Sequence, residues 1–191
     1  MRRLRDIVLV LLAAPLWIPA ACIVAVAVLA FLGRPVFFTQ WRAGKGGKPF
    51  LLFKFRSMKN GTAPDAERLG RFGRFLRASS LDELPELLHV LSGKMSLVGP
   101  RPLPASYIPR YSPRQARRLE VLPGLTGWAQ IHGRNETTWE ERLERDVWYV
   151  DNRSHLLDMK IIFATFATVL SARGVSRTGE ATMDEFKGGS K

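Results

Sequence analysis

Two stretches of this chain carry residue types that can work on phosphate. Ser79-Ser80-Leu81-Asp82-Glu83-Leu84-Pro85 sets two acids side by side. About ten residues after that pair, Gly93-Lys94-Met95-Ser96-Leu97-Val98-Gly99-Pro100-Arg101-Pro102 reads as a loop suited to holding anionic oxygen. A carboxylate can attack a phosphoryl group and form a covalent acyl phosphate, which splits one hard displacement into two. The attacked group is itself negative, so a divalent cation and positioned Lys or Arg side chains must neutralise it. Lys54, Arg77, Arg101 and Arg134 are the candidate cations, arginine being favoured for forked contacts to phosphate. Mg²⁺ suits such chemistry because it takes one or two carboxylates together with phosphate oxygens.

A plainer reading stands beside this one. Ser80-x-x-Glu83 matches a capping box, and Asp82 falls in a first turn where the helix dipole favours negative charge. Pro85 is tolerated near a helix start. On that reading the two acids only begin a helix. Trp128 and Gln130 can stack a base or sugar and offer amide hydrogen bonds, and core packing explains Trp128 equally well. His89 and His132 have no metal-ligand partner at useful spacing, and His89 reads as a helix-surface residue. Ser79, Ser80 and Ser96 have no evident triad.

The elements that must position these residues begin with an anchor. Ile7 through Leu32 contain no charged side chain, long enough to enter or cross a hydrocarbon core of roughly 30 Å. Arg2, Arg3 and Arg5 precede the run, and Arg34, Arg42, Lys45 and Lys48 follow it. Cytoplasmic flanks collect Lys and Arg, so both ends read as cytoplasmic. Pro15 and Pro19 interrupt the run and favour kinks. A re-entrant segment satisfies both flanks, and a kinked spanning helix is the alternative. The net charge of +12 fits docking on anionic lipid, nucleotide phosphates or nucleic acid. The single cysteine, Cys22, excludes an internal disulfide and a cysteine-based metal site.

Beyond the anchor, Val36 to Gln40 and Phe50 to Met58 read as two strands around a basic Gly-rich turn. Lys54 and Arg56 share one face of the second strand. Glu67 to Arg77 reads as a basic helix. Leu81, Leu84, Leu87, Leu88 and Leu91 form a helical stripe that Gly93 ends. Pro113 to Leu119 is another basic helix, and Pro123 to Gln130 a turn-rich loop. Thr137 to Trp148 is a helix with its capping box at Thr137 and Glu140. Leu156 to Ala172 is an apolar helix, buried or lying in a membrane interface. Arg173 to Lys191 is a polar, Gly-rich tail.

Taken together these motifs resemble the monotopic phosphoglycosyl transferases, or bacterial sugar transferases, of the small catalytic-core type. The likeness covers nearly the whole chain. It runs from the proline-broken segment at Pro15 through Phe-Lys-Phe-Arg-Ser-Met at 53–58, Arg77, and Ser80-Leu81-Asp82-Glu83-Leu84-Pro85. It continues through Met95 to Pro102, Pro123 to Gln130, Gly133-Arg134-Asn135, Asp146 to Val150 and Leu157 to Ile161. The resemblance implies an α+β fold: a membrane-embedded re-entrant helix at 1–34, then a membrane-associated catalytic domain at 35–191 with a short β-hairpin and helices around the site.

It further implies transfer of a sugar-1-phosphate from a UDP-sugar to polyprenyl (undecaprenyl) phosphate, with release of UMP. Asp82 is the implied nucleophile and Mg²⁺ ligand, and Glu83 its partner acid. Lys54, Arg77, Arg101, Gln130 and Arg134 are the implied substrate contacts. The implied partners are the UDP-sugar, the polyprenyl phosphate and the bilayer, with no nucleic acid. The implied location is the cytoplasmic face of a bacterial inner membrane. One departure stands out: many small members have Ser before the helix-breaking proline, where this chain has Ala14. A serine hydroxyl can satisfy backbone groups freed by the break, so Pro19 or a neighbouring segment is expected to take over.

Two rivals are weaker. A basic membrane-bound adaptor for anionic lipid or nucleic acid explains the charge but not the acid pair and its ordered loops. A multi-span phosphotransferase needs more than the one long apolar segment present.

Overall fold

The computed structural model describes residues 2–132, 137–170 and 185–188. The apolar run forms two helices, α1 (Arg2–Leu12) and α2 (Ala14–Leu32), broken at Ala13. Pro15 lies in the first turn of α2, where its missing N–H costs least. The indole Nε1 of Trp17 donates to the Val10 carbonyl at 3.0 Å. Carbonyls in the last turn of a helix lack intrahelical partners, and Trp17 satisfies one of them. That is the work a serine at position 14 was expected to do, and Pro19 lies inside α2 without breaking it. Ala14–Leu32 is long and apolar enough to cross a membrane, and most of its surface is uncovered by protein.

Both ends of this helical pair are tied to the rest of the chain. On α1, the Arg3 guanidinium donates to the Val90 and Leu91 carbonyls at 2.9 Å each. Arg5 donates to Asp158, and Asp6 accepts from the Ser96 hydroxyl and the Leu97 N–H. At the far end of α2, buried Arg56 donates to the Leu32 and Gly33 carbonyls, each at 2.6 Å. Val24 and Val28 pack on Phe55 and Leu76 beside it.

Strands β1 (Phe37–Ala43) and β2 (Pro49–Phe55) form the expected antiparallel hairpin, with Phe38 opposite Lys54 and Arg42 opposite Phe50. Arg56 lies just past the strand and turns inward. The single helix expected over Glu67–Arg77 is two, α3 (Asp65–Arg68) and α4 (Arg71–Ala78). Leu69 leaves helical backbone and extended Gly70 begins the second. A 3₁₀ turn (Leu81–Glu86) then leads into α5 (Leu87–Ser92), which Gly93 ends in the left-handed conformation.

His89 in α5 is buried rather than on the surface. Its Nε2 accepts the Phe53 N–H at 3.2 Å, and its ring packs against Phe53 and Phe50. Burial pushes the imidazole down to about 4, which keeps Nε2 free to accept.

The stretch 123–130, expected to be a loop, is more ordered. After β3 (Ser96–Val98) and α6 (Pro113–Ala116), β4 (Gly124–Thr126) pairs in parallel with β3, and α7 (Trp128–Ile131) follows. The glycines permit this. A Cβ on Gly124 would lie 2.0 Å from the Gly99 nitrogen, and one on Gly127 would lie 2.2 Å from the Gly99 oxygen. Helix α8 (Trp139–Asn152) is capped one residue later than expected, by Thr138 and Glu141. The sequence offers Thr-x-x-Glu in two adjacent registers, and the helix uses the second. Helix α9 (His155–Leu170) buries Asp158 and Ile161 and exposes Leu156, Phe163 and Phe166.

Candidate active site

The expected capping box at Ser80 does not form. Ser80 takes left-handed backbone (φ 56°), and its side chain makes no cap hydrogen bond. A left-handed non-glycine residue costs roughly 1–2 kcal/mol, and its flanks hold it there. The Ser80 N–H donates to the Arg77 carbonyl, and the Glu83 N–H to the Ser80 carbonyl. The sharp turn carries Asp82 inward instead of leaving it at a solvated helix start. Asp82 is only 2% exposed.

Strand β2 packs directly against the 3₁₀ turn and delivers Lys54, whose Nζ donates to Asp82 Oδ2 at 3.1 Å. Burial pushes the Asp82 carboxyl above its ordinary range, Lys54 opposes the rise, and Glu83 adds to it. A buried carboxylate with one ammonium partner is poorly solvated, and poor solvation suits a nucleophile.

Glu83 turns to the other loop. Its Oε1 accepts from Arg101 Nη2 at 2.5 Å, so the acid pair and the Gly/Pro/Arg loop, distant in sequence, close on each other. Arg101 is held from behind. Buried Arg118 donates to the Arg101 carbonyl at 2.6 Å and to Asp146 at 2.7 and 3.0 Å. Arg77 donates from Nε to the Ser57 hydroxyl at 2.9 Å. Burial lowers its proton affinity, and the charge of Asp82 partly restores it.

Lys54, Arg77, Asp82, Glu83 and Arg101 are therefore gathered into one cluster. Gln130 bonds within its own segment: Nε2 donates to the Leu125 carbonyl, and its buried Oε1 has no hydrogen-bond partner among the described residues. Arg134 lies outside the described residues. Trp128 stacks on Trp148 with ring centroids 4.5 Å apart and meets His132 at 3.8 Å, which is the packing reading of that residue.

Sequence reasoning missed several members. Glu86, four residues after Asp82, is buried, and desolvation together with the Glu83 charge pushes its carboxyl up to about 8. Arg42 lies near Arg101, and burial with that like charge lowers it to about 10. Arg118 and Asp146 form the buried pair behind the loop. The helical spacing from Asp82 to Glu86 was the one available signal; nothing local marks Arg42 or Arg118.

The negative charges of Asp82, Glu83 and Glu86 oppose one another, Asp82 and Glu86 with raised proton affinity, and a divalent cation would relieve them. Asp82, with Glu86 four residues on, would be the carboxylates available to a Mg²⁺ whose shell phosphate oxygens complete. Among the described residues no three His, Cys, Asp or Glu side chains converge on a metal position, so a cation here would depend on the substrate's oxygens.

The family model for bacterial sugar transferases matches residues 1–172. The chain is 53% identical over 163 residues to the sugar transferase EpsL of Bacillus subtilis, covering 82% of this chain and 81% of that one. It is 43% identical over 175 residues to the UDP-glucose:undecaprenyl-phosphate glucose-1-phosphate transferase of Xanthomonas campestris, covering 83% of this chain but 36% of that longer protein. Against the protein of the same name from Caulobacter vibrioides, identity is 38% over 186 residues, with 89% and 70% covered. All three alignments take in most of this chain, and the family match includes both the broken apolar helices and the acid cluster. On these grounds the chain belongs to the bacterial sugar transferase family.

Proposed function

We propose that the chain transfers a sugar-1-phosphate from a UDP-sugar to polyprenyl phosphate, undecaprenyl phosphate in the bacterial setting, and releases UMP. The relatives' named activities support the reaction class. The observation that carries the site is the buried Asp82 carboxylate on Lys54, with Glu83 and Arg101 closed beside it. An Asp82 oxygen attacks the sugar-linked phosphorus, and the anhydride P–O bond to UMP breaks. The phosphate oxygen of the polyprenyl acceptor then attacks the same phosphorus and releases Asp82 as the carboxylate. Glu83 holds Arg101 in place and takes the proton of the incoming acceptor phosphate. Lys54, Arg77 and Arg101 offset the negative charge of the reacting group. Mg²⁺, held by Asp82, would supply further neutralisation of the phosphate oxygens.

The same reading places residues 1–34 in the cytoplasmic leaflet of the inner membrane as a re-entrant pair of helices. Support comes from Arg3, Arg5 and Asp6 at one end and Leu32 and Gly33 at the other, all bonded to the same catalytic body. A continuous helix of that length would separate its ends by roughly 45 Å, on opposite sides of a bilayer. Residues 35–191 then form the catalytic domain at the cytoplasmic face. An adaptor role leaves the burial of Asp82 and Glu86 without a use.

The test is UMP release by purified protein given a panel of UDP-sugars and undecaprenyl phosphate. Asp82→Asn should remove turnover and leave membrane association intact. Turnover near wild type in that variant would refute the assignment.

A further inference from the structure

Arg42 is a half-buried guanidinium at the edge of the cluster described above, and the chemistry proposed so far gives it no role. In an enzyme that must hold two linked phosphates its position has a consequence. Lys54 pairs with Asp82, Arg101 with Glu83, and Arg118 with Asp146. Among the described residues Arg42 has no carboxylate within ion-pair distance. Its Nη1 donates to the Pro102 carbonyl at 3.0 Å, its Nε is buried without a partner, and it forms no other side-chain hydrogen bond among the described residues. The Pro102 contact fixes the guanidinium against the loop that carries Arg101, and β1 is bridged to Pro104 at the same point. On the hairpin Lys54 lies opposite Phe38, four residues along β1 from Arg42, roughly 13 Å at strand spacing, and the charges felt most strongly by Arg42 are those of Arg101 and Glu86.

Burying like-charged groups together is unfavourable unless an anion completes the arrangement. The cluster thus has two ends: Asp82 with Lys54 at one, Arg42 at the other, and Arg101 between them. We propose that Arg42, with Arg101, forms a second anion subsite that takes the phosphate of the departing nucleotide. This rests on the phosphoglycosyl transfer reading above. As the Asp82–phosphorus bond forms and the anhydride bond breaks, the bridging oxygen keeps its electron pair and leaves on UMP. The UMP phosphate passes from one negative charge to two. A guanidinium already desolvated and already aimed strengthens its hold as that charge develops.

The source of the phosphate distinguishes this from its rival, the acceptor lipid's headgroup. Steady-state kinetics on Arg42→Gln and Arg42→Lys would measure the inhibition constant of UMP and the KM of undecaprenyl phosphate separately. Loss of a charge-assisted hydrogen bond predicts that UMP inhibition weakens by about tenfold or more in Arg42→Gln. Arg42→Lys keeps the charge without the fork and should fall between. The acceptor KM should stay within about twofold, since the subsite is assigned to the nucleotide. A rise in the acceptor KM with UMP inhibition unchanged would overturn the proposal.

Wild-type protein provides a second measurement that survives misfolding of the variants. Phenylglyoxal modification of Arg42, mapped by peptide mass spectrometry, should be suppressed by UMP and not by undecaprenyl phosphate or uridine. Equal modification with and without UMP would overturn it. A wild-type protein that released no UMP from any UDP-sugar would instead defeat the parent reading.

Discussion

Lys54 Nζ lies 3.1 Å from Asp82 Oδ2, and this contact ties the β-hairpin to the 3₁₀ turn that begins after left-handed Ser80. It is an ion pair whose two side chains are almost withdrawn from water, 17% and 3% exposed. Removing one partner of such a pair leaves a charge with poor solvation. The pair therefore controls both the protonation of Asp82 and the seating of the 3₁₀ turn.

Lys54→Met should shift the pH dependence of turnover. Asp82 must be ionised to attack, so activity rises with pH as its proton is lost. Burial already raises its proton affinity and Lys54 opposes that rise. Without the ammonium, the acidic limb of kcat/KM should move to higher pH by about one unit or more. Measurement from pH 5 to 9 decides it, and an unmoved limb would count against Asp82 as the titrating group.

Glu86 makes the fold sensitive to alkali. Its carboxyl is pushed from the ordinary 4.5 up to about 8, so the folded state holds this proton more tightly than the unfolded chain. That contribution is full below about 4.5 and is lost as pH rises through about 8. Glu86→Gln keeps the shape without the charge. Its Tm should exceed wild type by several degrees at pH 9, with the difference shrinking toward pH 5. A variant no more stable than wild type at pH 9 would contradict the assignment.

The helix break should depend on Trp17. Trp17→Phe removes the donor to the Val10 carbonyl and should cost about 1–2 kcal/mol, read by thermal unfolding in nanodiscs. Ala14→Ser in the same background supplies a hydroxyl at the break and should restore part of the loss. Unchanged stability in Trp17→Phe would show that another group satisfies the carbonyl.

Topology can be read by labelling. In a Cys22→Ser background, single cysteines at Arg2 and Lys59 should resist a membrane-impermeant maleimide in intact spheroplasts and react after permeabilisation. Reaction of the Arg2 site from outside would contradict the re-entrant arrangement.

Legibility of this fold in the sequence followed the range of the interactions. The hairpin, the stop at Gly93 and the apolar anchor depend on neighbouring residues, and their types announce them. The 3₁₀ turn at Leu81–Glu86 does not: Ser80-x-x-Glu83 is a good local cap, and the packing of β2 against the turn overrides it. His89 looked like a surface residue because its partner, the Phe53 N–H, is 36 residues away. The parallel pairing of Ser96 with Gly124 was hidden by the glycines that permit it, since glycines also mark loops. Lys54, Arg77, Asp82, Glu83 and Arg101 stand out in the sequence by residue type and motif, and the structure brings them together. Arg42, Glu86 and the Arg118–Asp146 pair do not stand out, because only burial distinguishes them from ordinary surface charges.

The most direct measurement of the account is intact-protein mass spectrometry after mixing purified enzyme with its UDP-sugar and Mg²⁺ in the absence of polyprenyl phosphate. A covalent aspartyl intermediate predicts a mass gain of one sugar-phosphate, mapped to Asp82, absent in Asp82→Asn and discharged when undecaprenyl phosphate is added. Turnover with acceptor present but no adduct at single-turnover times, or an adduct on another residue, would contradict it.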